Sequence, residues 1–572
     1  MRGKRIGVFV CHCGLNIAGT VDVEKVVEQI KTYPGVAHAE HYIYMCSDPG
    51  QELVRKAIRE KALEGIVISS CSPSLHERTF RNLVASEGIN SFYCEMANIR
   101  EQCSWPHSSD KSTATKKALT IIKAVIEKLR RNISLTPMVV PLTKRVLVIG
   151  AGIAGMRAAL DIADGGYEVV LVERSPAIGG HVTQLSGTFP TLERVPLMVA
   201  PVMERVASHP RIRLYTYSEV DSVSGYVGNF LVSIRRKATL VEEEVGAVIV
   251  ATGYELYPRD GIGEYASDPD VLDGLQFERI LSPSGPTAGE VRRPSDGKVP
   301  KQVVFIQCVG SRDPEHGVPY CSRVCCMYTA KQAMLYKQVV PDGQAYVFYM
   351  DIRSDAKGYE EFVKKVVDEQ RVLYLRGRVS KVFRDGEKLK VWGADTLTGK
   401  SIEISADLVV LATAMVPSSA VRELARKLNI IVDAQGFVTE AHIKLRPVET
   451  LTAGIYLAGT AQWPRDIPDT VSSASGAASK ILSLFSRKEL LHEPTIATVD
   501  SEVCAGCGQC VAVCAYKAIE LDPKRRVARV NEAVCEGCGA CVVTCPSKAM
   551  RHKNWTPRQF FEMIDVGISE YV

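Results

Sequence analysis

The stretch KRVLVIGAGIAGMRAALDIADGGYEVVLVE, residues 144–173, decides how the rest of the chain is read. An apolar run of strand character ends at Gly150, Gly152 and Gly155 complete a G-x-G-x-x-G turn, and a helical pattern follows. A second apolar run closes on Glu173, about 20 residues further on, as in a dinucleotide-binding unit. The glycines let a pyrophosphate approach a helix N-terminus, where free N–H groups and the helix dipole favour negative charge. Glu173 is placed to accept hydrogen bonds from ribose hydroxyls. A lone fingerprint is weak evidence; here its strand–turn–helix–strand context is complete. The pattern leaves open FAD, NAD or a cofactor-free unit of the same fold.

Apolar runs at GAVIVATG (246–253), KQVVFIQC (301–308), QAYVFYM (344–350), DLVVLAT (407–413) and GIYLAGT (454–460) extend this region as one large α/β unit, residues 144–487. Upstream, residues 1–135 alternate strands (GVFV, HYIYM, GIVISS, SFY) with amphipathic helices (21–33, 50–62, 75–88, and roughly 112–131), a pattern that favours a parallel sheet. Downstream, HEPTIATVD links to two similar cysteine units in residues 495–550. The tail 551–572 reads as a short helix with exposed aromatics.

The 70 Lys and Arg barely outnumber the 65 Asp and Glu, and the charges are interspersed, so nothing suggests a nucleic-acid surface. The opening MRGKRIGVFVCHCG meets cysteines too soon for a signal peptide, and no run reaches the roughly 18 apolar residues of a membrane span. The expectation is a cytoplasmic protein without a transmembrane segment. In such a chain the 18 cysteines argue for metal ligation over disulfides. Six lie in residues 11–103, four in 308–326 and eight in 504–545.

Cys504, Cys507, Cys510 and Cys514 stand as C-x2-C-x2-C-x3-C, and Cys535, Cys538, Cys541 and Cys545 repeat the pattern. This is the run of bacterial two-cluster ferredoxins, in which each fourth cysteine serves the other cluster. One cubane is expected on Cys504, Cys507, Cys510 and Cys545, the other on Cys535, Cys538, Cys541 and Cys514; zinc is the alternative. Cys308, Cys321, Cys325 and Cys326 form C-x12-C-x3-C-C, which suits one further cluster, with unmetallated buried cysteines as the alternative. Lys331 follows on the same helical pattern, either a cation aimed at the flavin ring or a solvated helix lysine. In the N-terminal region Cys11, Cys13, Cys46 and Cys71 each follow a strand, and Cys94 and Cys103 come later. Parallel sheets present ligands at the carboxyl ends of their strands, so a fourth cluster is expected there. Cys13, Cys46, Cys71 and Cys103 are favoured, with Cys11 close behind and structural thiols as the alternative.

ERSPAIGGH (173–181) resembles the segment after the ribose carboxylate in two-dinucleotide flavoproteins, ATG (251–253) their second fingerprint, and IYLAGT (455–460) their late ribityl motif, with Thr460 where Asp is usual. These resemblances favour FAD and assign Arg174, Gly180, Thr252, Gly253, Gly459 and Thr460 to its site. No second G-x-G-x-x-G appears, because the strand at 301–308 runs into Cys308. Direct oxidation of a pyridine nucleotide is therefore disfavoured.

VCHCG (10–14), YMCSDPGQ (44–51), CSPSLHE (71–77), EMANIREQCSW (95–105), the C-x12-C-x3-CC run, DIPDTV (466–471) and the doubled ferredoxin run together resemble the A-type, HdrA-like iron–sulfur flavoprotein of heterodisulfide reductase. The resemblance covers nearly the whole chain. It implies a multidomain α/β protein: an N-terminal α/β cluster domain, a Rossmann-type FAD domain of the thioredoxin-reductase or disulfide-reductase kind, and a C-terminal α+β ferredoxin domain. It implies an FAD- and [4Fe-4S]-containing oxidoreductase subunit with four clusters and flavin-based electron bifurcation. The partners it implies are B- and C-type subunits, a hydrogenase, formate dehydrogenase or similar donor module, ferredoxin, and a homodimer of the subunit itself. Many relatives carry further cysteines after TFPT and an inserted ferredoxin module; here TFPTLERVPLMVAPVMERV has no cysteine. That departure favours a non-bifurcating conduit as the rival reading. A flavin reductase acting on its own small molecule is another, and an NAD(P)H-dependent reductase a third.

Overall fold

The computed structural model describes residues 4–258 and 268–569, so Met1–Gly3 of the opening segment and the last three residues of the tail lie outside it. The chain forms two compact units, one from residues 1–140 with 491–572 and the other from 141–490.

The N-terminal part of the first unit is a four-stranded parallel sheet of β1 (Ile6–Cys11), β2 (Val36–Tyr42), β3 (Gly65–Ser70) and β4 (Cys94–Asn98), in the order β2-β1-β3-β4. β1 and β3 are buried at every residue, as strands covered on both faces must be, which is why they read as unbroken apolar runs. Helices α1 (Val23–Lys31), α2 (Asp48–Lys61), α3 (Pro73–Ser86) and α4 (Lys111–Arg131) start on side-chain caps: Asp22, Ser47, Ser72 and Asp110 each accept a first-turn backbone N–H. Two expected strands shift. HYIYM contributes only His41 and Tyr42 to β2, because Ile43–Cys46 turn outward and expose Ile43 and Tyr44. Ser91–Tyr93 form a short 3-10 turn, and the strand is the next segment, β4.

The second unit contains two five-stranded parallel sheets. The first joins β5 (Arg145–Ile149), β6 (Glu168–Val172), β7 (Ile212–Tyr215), β8 (Ala247–Val250) and the later strand Ile455–Leu457, with β5 central and helix α5 (Ile153–Asp164) leaving its carboxyl end. The second is built from β9 (Val271–Asp273), β10 (Gln302–Val309), β11 (Gln344–Tyr349), β12 (Leu373–Arg376) and β13 (Leu408–Thr413), in the order β9-β13-β10-β11-β12. Helix α6 (Gly274–Leu281) follows β9, and α7 (Cys325–Val339) follows β10. Helix α8 (Ile467–Phe485) packs on α5 under the first sheet. An antiparallel three-stranded sheet accompanies each parallel one, over residues 218–245 and 379–406.

The C-terminal part belongs to the first unit. It holds two short antiparallel pairs, Ala497–Val499 with Met550–His552 and Ile519–Leu521 with Ala528–Val530, plus the one-turn helices Gln509–Val513 and Ala540–Thr544. The last helix, α9 (Pro557–Ser569), packs along α4. Gln559, fully buried, donates to the Lys128 carbonyl (3.2 Å) and to Asn132 Oδ1 (2.8 Å), and the Lys128 ammonium lies 4.0 Å from the Trp555 ring centre. The two chain ends are thus stitched into one body by polar contacts that no local pattern announces. Among the described residues, no helix is long and apolar enough to cross a membrane.

Candidate functional site

At the carboxyl edge of the first parallel sheet in the second unit lies a cavity of about 880 Å³. Gly150, Gly152, Glu173, Arg174, Gly180, Thr252, Gly253, Thr460 and Lys331 all line it. Gly155 and Gly459 sit beneath the lining and permit close packing. A Cβ on Gly155 would stand 1.8 Å from the Gly150 carbonyl oxygen, and one on Gly459 would stand 2.8 Å from the Ala154 methyl. Gly150 holds a φ of 101°, and a Cβ there would meet the Ala251 carbonyl at 2.4 Å, so the turn needs glycine twice over. Gly152, by contrast, faces no atom of the described residues within 4 Å: its Cα side is left open, as a cradle for a pyrophosphate requires. Glu173 is held in place from both oxygens, accepting from the Ala151 and Ser175 amides at 2.8 Å each.

The inner wall is polar. The Lys331 ammonium contacts Glu278 Oε1 at 2.7 Å and donates to the Gly187 carbonyl at 2.8 Å, and both side chains are about 2% exposed. Lys331 is therefore not a solvated helix lysine. Glu278 also accepts from the Ser186 amide (2.9 Å), the Ser186 hydroxyl (2.7 Å) and Gln332 Nε2 (2.8 Å). Glu278 and Gln332 escape a motif reading, because each lies in an ordinary helical pattern; His181 closes the ERSPAIGGH segment, but nothing in that segment singles out its ring. His181 Nδ1, Thr252 Oγ1, Gln332 Oε1 and Thr413 Oγ1 are buried without a hydrogen-bond partner, and all four residues line the cavity. Buried polar atoms are normally satisfied, so such a group of orphans marks a wall built for a polar occupant. Burial holds the His181 imidazole below its usual pKa, against the Tyr254 carbonyl that its Nε2 contacts at 2.9 Å, and burial pushes the Tyr254 phenol up to about 12.

Helix α7 leads from this wall to the second cysteine group. Val324, Tyr328, Lys331 and Gln332 line the cavity, while Cys325 and Cys326 open the helix. Cys308 lies at a break in the β10–β13 register, with a φ of 59° that costs a non-glycine residue about 1–3 kcal/mol. Cys308, Cys325 and Cys326 act on one another's thiols, and Cys321 is raised by burial with the charges of Cys308 and Cys326 adding to it. Cys325 lowers the Cys308 thiol to about 7, with burial opposing and Arg312 helping. Cys308 and Cys326, with burial, push Cys325 up. A group of four cysteines thus occupies the strand-to-helix crossing of the second sheet, where a second dinucleotide fingerprint would have stood.

In the first unit, Cys11, Cys13, Cys46 and Cys71 gather at the carboxyl edge of the parallel sheet. Cys11 feels the charges of Cys13 and Cys46, and Cys71 feels that of Cys13. The Cys13 and Met45 amides donate to Cys11 Sγ at 3.3 and 3.4 Å, and Cys13 itself holds a φ of 50°. Cys103, favoured over Cys11 on sequence, is not in this group. Its sulfur donates to the Ala114 carbonyl at 3.0 Å inside the apolar core, and burial raises its thiol to about 11. Cys94 opens β4 at the amino edge, and its neighbours are Glu95, Arg81 and Glu77.

The ferredoxin repeat has approximate internal symmetry. Gly506 (φ 65°) and Gly537 (φ 63°) let the chain pass within Cβ-contact distance of the Arg526 and Thr495 carbonyls, at 2.1 and 2.4 Å for a built Cβ. The Ala528, Ala518 and Ala497 amides donate to Cys504, Cys514 and Cys535 sulfurs at 3.3–3.5 Å. Burial raises the Cys541 thiol to about 11, with the charges of Cys535, Cys538 and Cys514, the fourth cysteine of the other run, adding to it. Among the described residues no three Cys, His, Asp or Glu side chains close on a single ion. Zinc would need four sulfurs at about 2.3 Å, a tighter set than a cubane asks for.

Residues 145–253 match the family model described as FAD binding domain, and residues 503–549 that described as 4Fe-4S dicluster domain. The second of the iron–sulfur A-type subunits of CoB–CoM heterodisulfide reductase in Methanopyrus kandleri is 41% identical over 600 residues, covering 91% of this chain and 92% of that one. The chain belongs to the family of heterodisulfide reductase A-type subunits. The corresponding subunit of the H(2):CoB-CoM heterodisulfide,ferredoxin reductase of Methanothermobacter thermautotrophicus is 40% identical over 601 residues, at 91% of each chain. A protein of Archaeoglobus profundus described as like this heterodisulfide reductase subunit is 39% identical over 640 residues, at 90% and 91%. These alignments run longer than the 572 residues of this chain, so the relatives carry segments that it lacks. Thioredoxin reductase of T. acidophilum covers 60% of this chain and all of its own at 18% identity, with a TM-score of 0.44. As a member of the heterodisulfide reductase A-type family, the chain is an iron–sulfur flavoprotein oxidoreductase with an electron-transfer role.

Proposed function

We propose that this subunit is the point at which an electron pair is divided between a disulfide-reducing branch and a ferredoxin branch. The supporting observation is helix α7, which carries Cys325 and Cys326 at its start and Tyr328, Lys331 and Gln332 in the wall of the flavin cavity. Bound there, a flavin exchanges electrons singly or in pairs, whereas cubanes pass them singly. The residues do the rest. Gly150, Gly152 and Glu173 hold the dinucleotide, and Lys331 keeps a cation at the inner wall. Four clusters are assigned, on Cys11, Cys13, Cys46 and Cys71; on Cys308, Cys321, Cys325 and Cys326; and on the two crossed sets of the ferredoxin repeat.

The names of relatives support the partners: H(2), the CoB–CoM heterodisulfide and ferredoxin for the Methanothermobacter protein, and formate as well for that of Methanococcus maripaludis. The complex proposed here therefore adds a hydrogenase or formate dehydrogenase module and ferredoxin; B- and C-type subunits and a homodimer are added from the family resemblance. A linear conduit is the second reading, favoured by the segments that this chain lacks. The native complex, given its donor, should reduce ferredoxin only while disulfide is being consumed. Disulfide reduction with no ferredoxin reduction would leave the conduit. Analysis should give about 16 iron atoms per flavin, and rapid reduction by NADH alone would overturn the assignment of the second sheet to cysteines.

A further inference from the structure

Both cysteine groups outside the ferredoxin repeat have an arginine beside a cysteine. Arg100 Nη1 donates to Cys13 Sγ at 3.2 Å, and its Nη2 and Nε are fixed on Glu101 at 2.6 and 3.1 Å. Its guanidinium also lies 4.9 Å from the Trp105 ring centre. In the second unit, the Arg312 guanidinium acts on the Cys308 thiol, which its charge helps to lower, while its Nη1 and Nη2 fork onto the Asp351 carboxylate at 2.6 and 2.9 Å. Each arginine is thus fixed by a neighbouring carboxylate, and each acts on the cysteine held in a left-handed backbone: Arg100 by direct contact with Cys13, Arg312 by its charge on Cys308. The sulfur partners in the ferredoxin repeat are uncharged: the Ala528, Ala518 and Ala497 amides and the Ser547 hydroxyl.

We propose that Arg100 and Arg312 are potential-tuning residues that raise the reduction potentials of the two clusters outside the ferredoxin repeat. The inference rests on the cluster assignments of the proposed function. A cubane with four thiolates becomes more negative by one charge when it takes an electron. A cation at hydrogen-bond distance from sulfur therefore stabilises the reduced form more than the oxidised one. The carboxylate behind each arginine works in the opposite direction, but from the far side of the guanidinium, where its field at the cluster is weaker. The consequence is an ordering: the clusters on Cys13 and Cys308 take electrons at higher potential than they would with neutral neighbours, while the ferredoxin pair has no such lift.

The test is an EPR-monitored redox titration of the whole anaerobically prepared protein, with iron counted in every sample. Arg100→Gln should move one cluster signal to lower potential and Arg312→Gln another, each leaving the ferredoxin pair in place; Arg100→Lys and Arg312→Lys should restore most of the shift. Glu101→Gln and Asp351→Asn keep an amide oxygen as acceptor for each arginine and remove the opposing charge, so they should move the same signals to higher potential. Unchanged midpoints in iron-replete glutamine variants overturn the proposal. If a glutamine variant loses its cluster, the carboxylate variants decide instead, and an unmoved midpoint there overturns it equally. A wild-type iron count near 8 per flavin is a different failure, since it removes both clusters and with them the underlying assignment.

Discussion

Replacing Glu278 by Leu puts the inner wall of the cavity to the sharpest test. The Lys331–Glu278 pair is about 2% exposed on both sides, but its partners are unevenly shared. Without Lys331, the Glu278 carboxylate keeps three donors: the Ser186 amide, the Ser186 hydroxyl and Gln332 Nε2. Without Glu278, the Lys331 ammonium keeps one acceptor, the Gly187 carbonyl. Removing one partner of a buried ion pair costs about 3–5 kcal/mol, because the other charge is stranded. The stranded Ser186 amide adds about 1–3 kcal/mol. Glu278→Leu should therefore be the worse single variant by a clear margin, with Lys331→Met less harmful. The double variant Glu278→Leu/Lys331→Met should recover most of the charge penalty and retain the cost of the unpaired amide. Urea titrations at fixed free FAD, followed by flavin fluorescence, report on the unit that holds the cavity, which matters because a chain of two units is not one two-state system. Refutation is straightforward. A Glu278→Leu cost below about 1 kcal/mol, or a double variant as unstable as the sum of the singles, would mean that Lys331 is not a desolvated cation.

Gly152→Ala should leave the protein's own packing intact, since the new methyl meets no atom within 4 Å, yet weaken FAD binding tenfold or more, about 1.4 kcal/mol; flavin absorbance after desalting and an unchanged circular dichroism spectrum would confirm it. His181 gives a pH dependence. Burial depresses its folded pKa, with Arg174 assisting and Glu255 and the Tyr254 carbonyl opposing, so the neutral ring is the one the fold favours. The stability it contributes is complete above about 6.5, the unfolded value, and declines as pH falls through the lower folded value. His181→Asn should flatten that decline in cavity-unit unfolding midpoints measured between about pH 7.5 and 5.5, a window that brackets the unfolded imidazole value. Cys541→Ser should remove about 4 iron atoms per chain and no more, by inductively coupled plasma analysis, if each cubane of the repeat stands on its own ligand set.

The legible parts of this protein are those in which one short stretch does the whole job. Residues 144–173 announce a strand, turn, helix and carboxylate because all four parts of a dinucleotide cradle must be consecutive. The doubled C-x2-C-x2-C-x3-C run is equally local, since two-residue spacers let one loop wrap a cluster. Illegible parts depend on contacts between distant segments. Cys11 and Cys103 are equally good letters in a sequence; only the position of Ala114 on α4, whose carbonyl takes the Cys103 sulfur, separates them. Glu278 lies more than fifty residues before Lys331, on a helix whose pattern is wholly accounted for by burial. The union of the two chain ends depends on Gln559 reaching Asn132, a polar contact across 427 positions. The strand expected at HYIYM stops short for the same kind of reason: Met45 turns back to give its amide to Cys11, and Tyr44 is left exposed.

The second parallel sheet carries the deepest consequence for function. Its topology is that of a dinucleotide-binding unit, with β10 central and α7 leaving the strand's carboxyl end. A pyrophosphate at such a crossing needs small residues and free helix N–H groups. Here the strand breaks at Cys308, and the helix opens on two adjacent buried cysteines, so the crossing carries thiols where a pyrophosphate would need glycines. The rest of α7 presents Tyr328, Lys331 and Gln332 to the flavin cavity. One helix thus joins this cysteine group to the flavin cavity. A nucleotide delivers two electrons at once as hydride, whereas a cluster can pass only one. On the assignment proposed here, thiols rather than a phosphate cradle at this crossing are what let the second sheet handle electrons one by one.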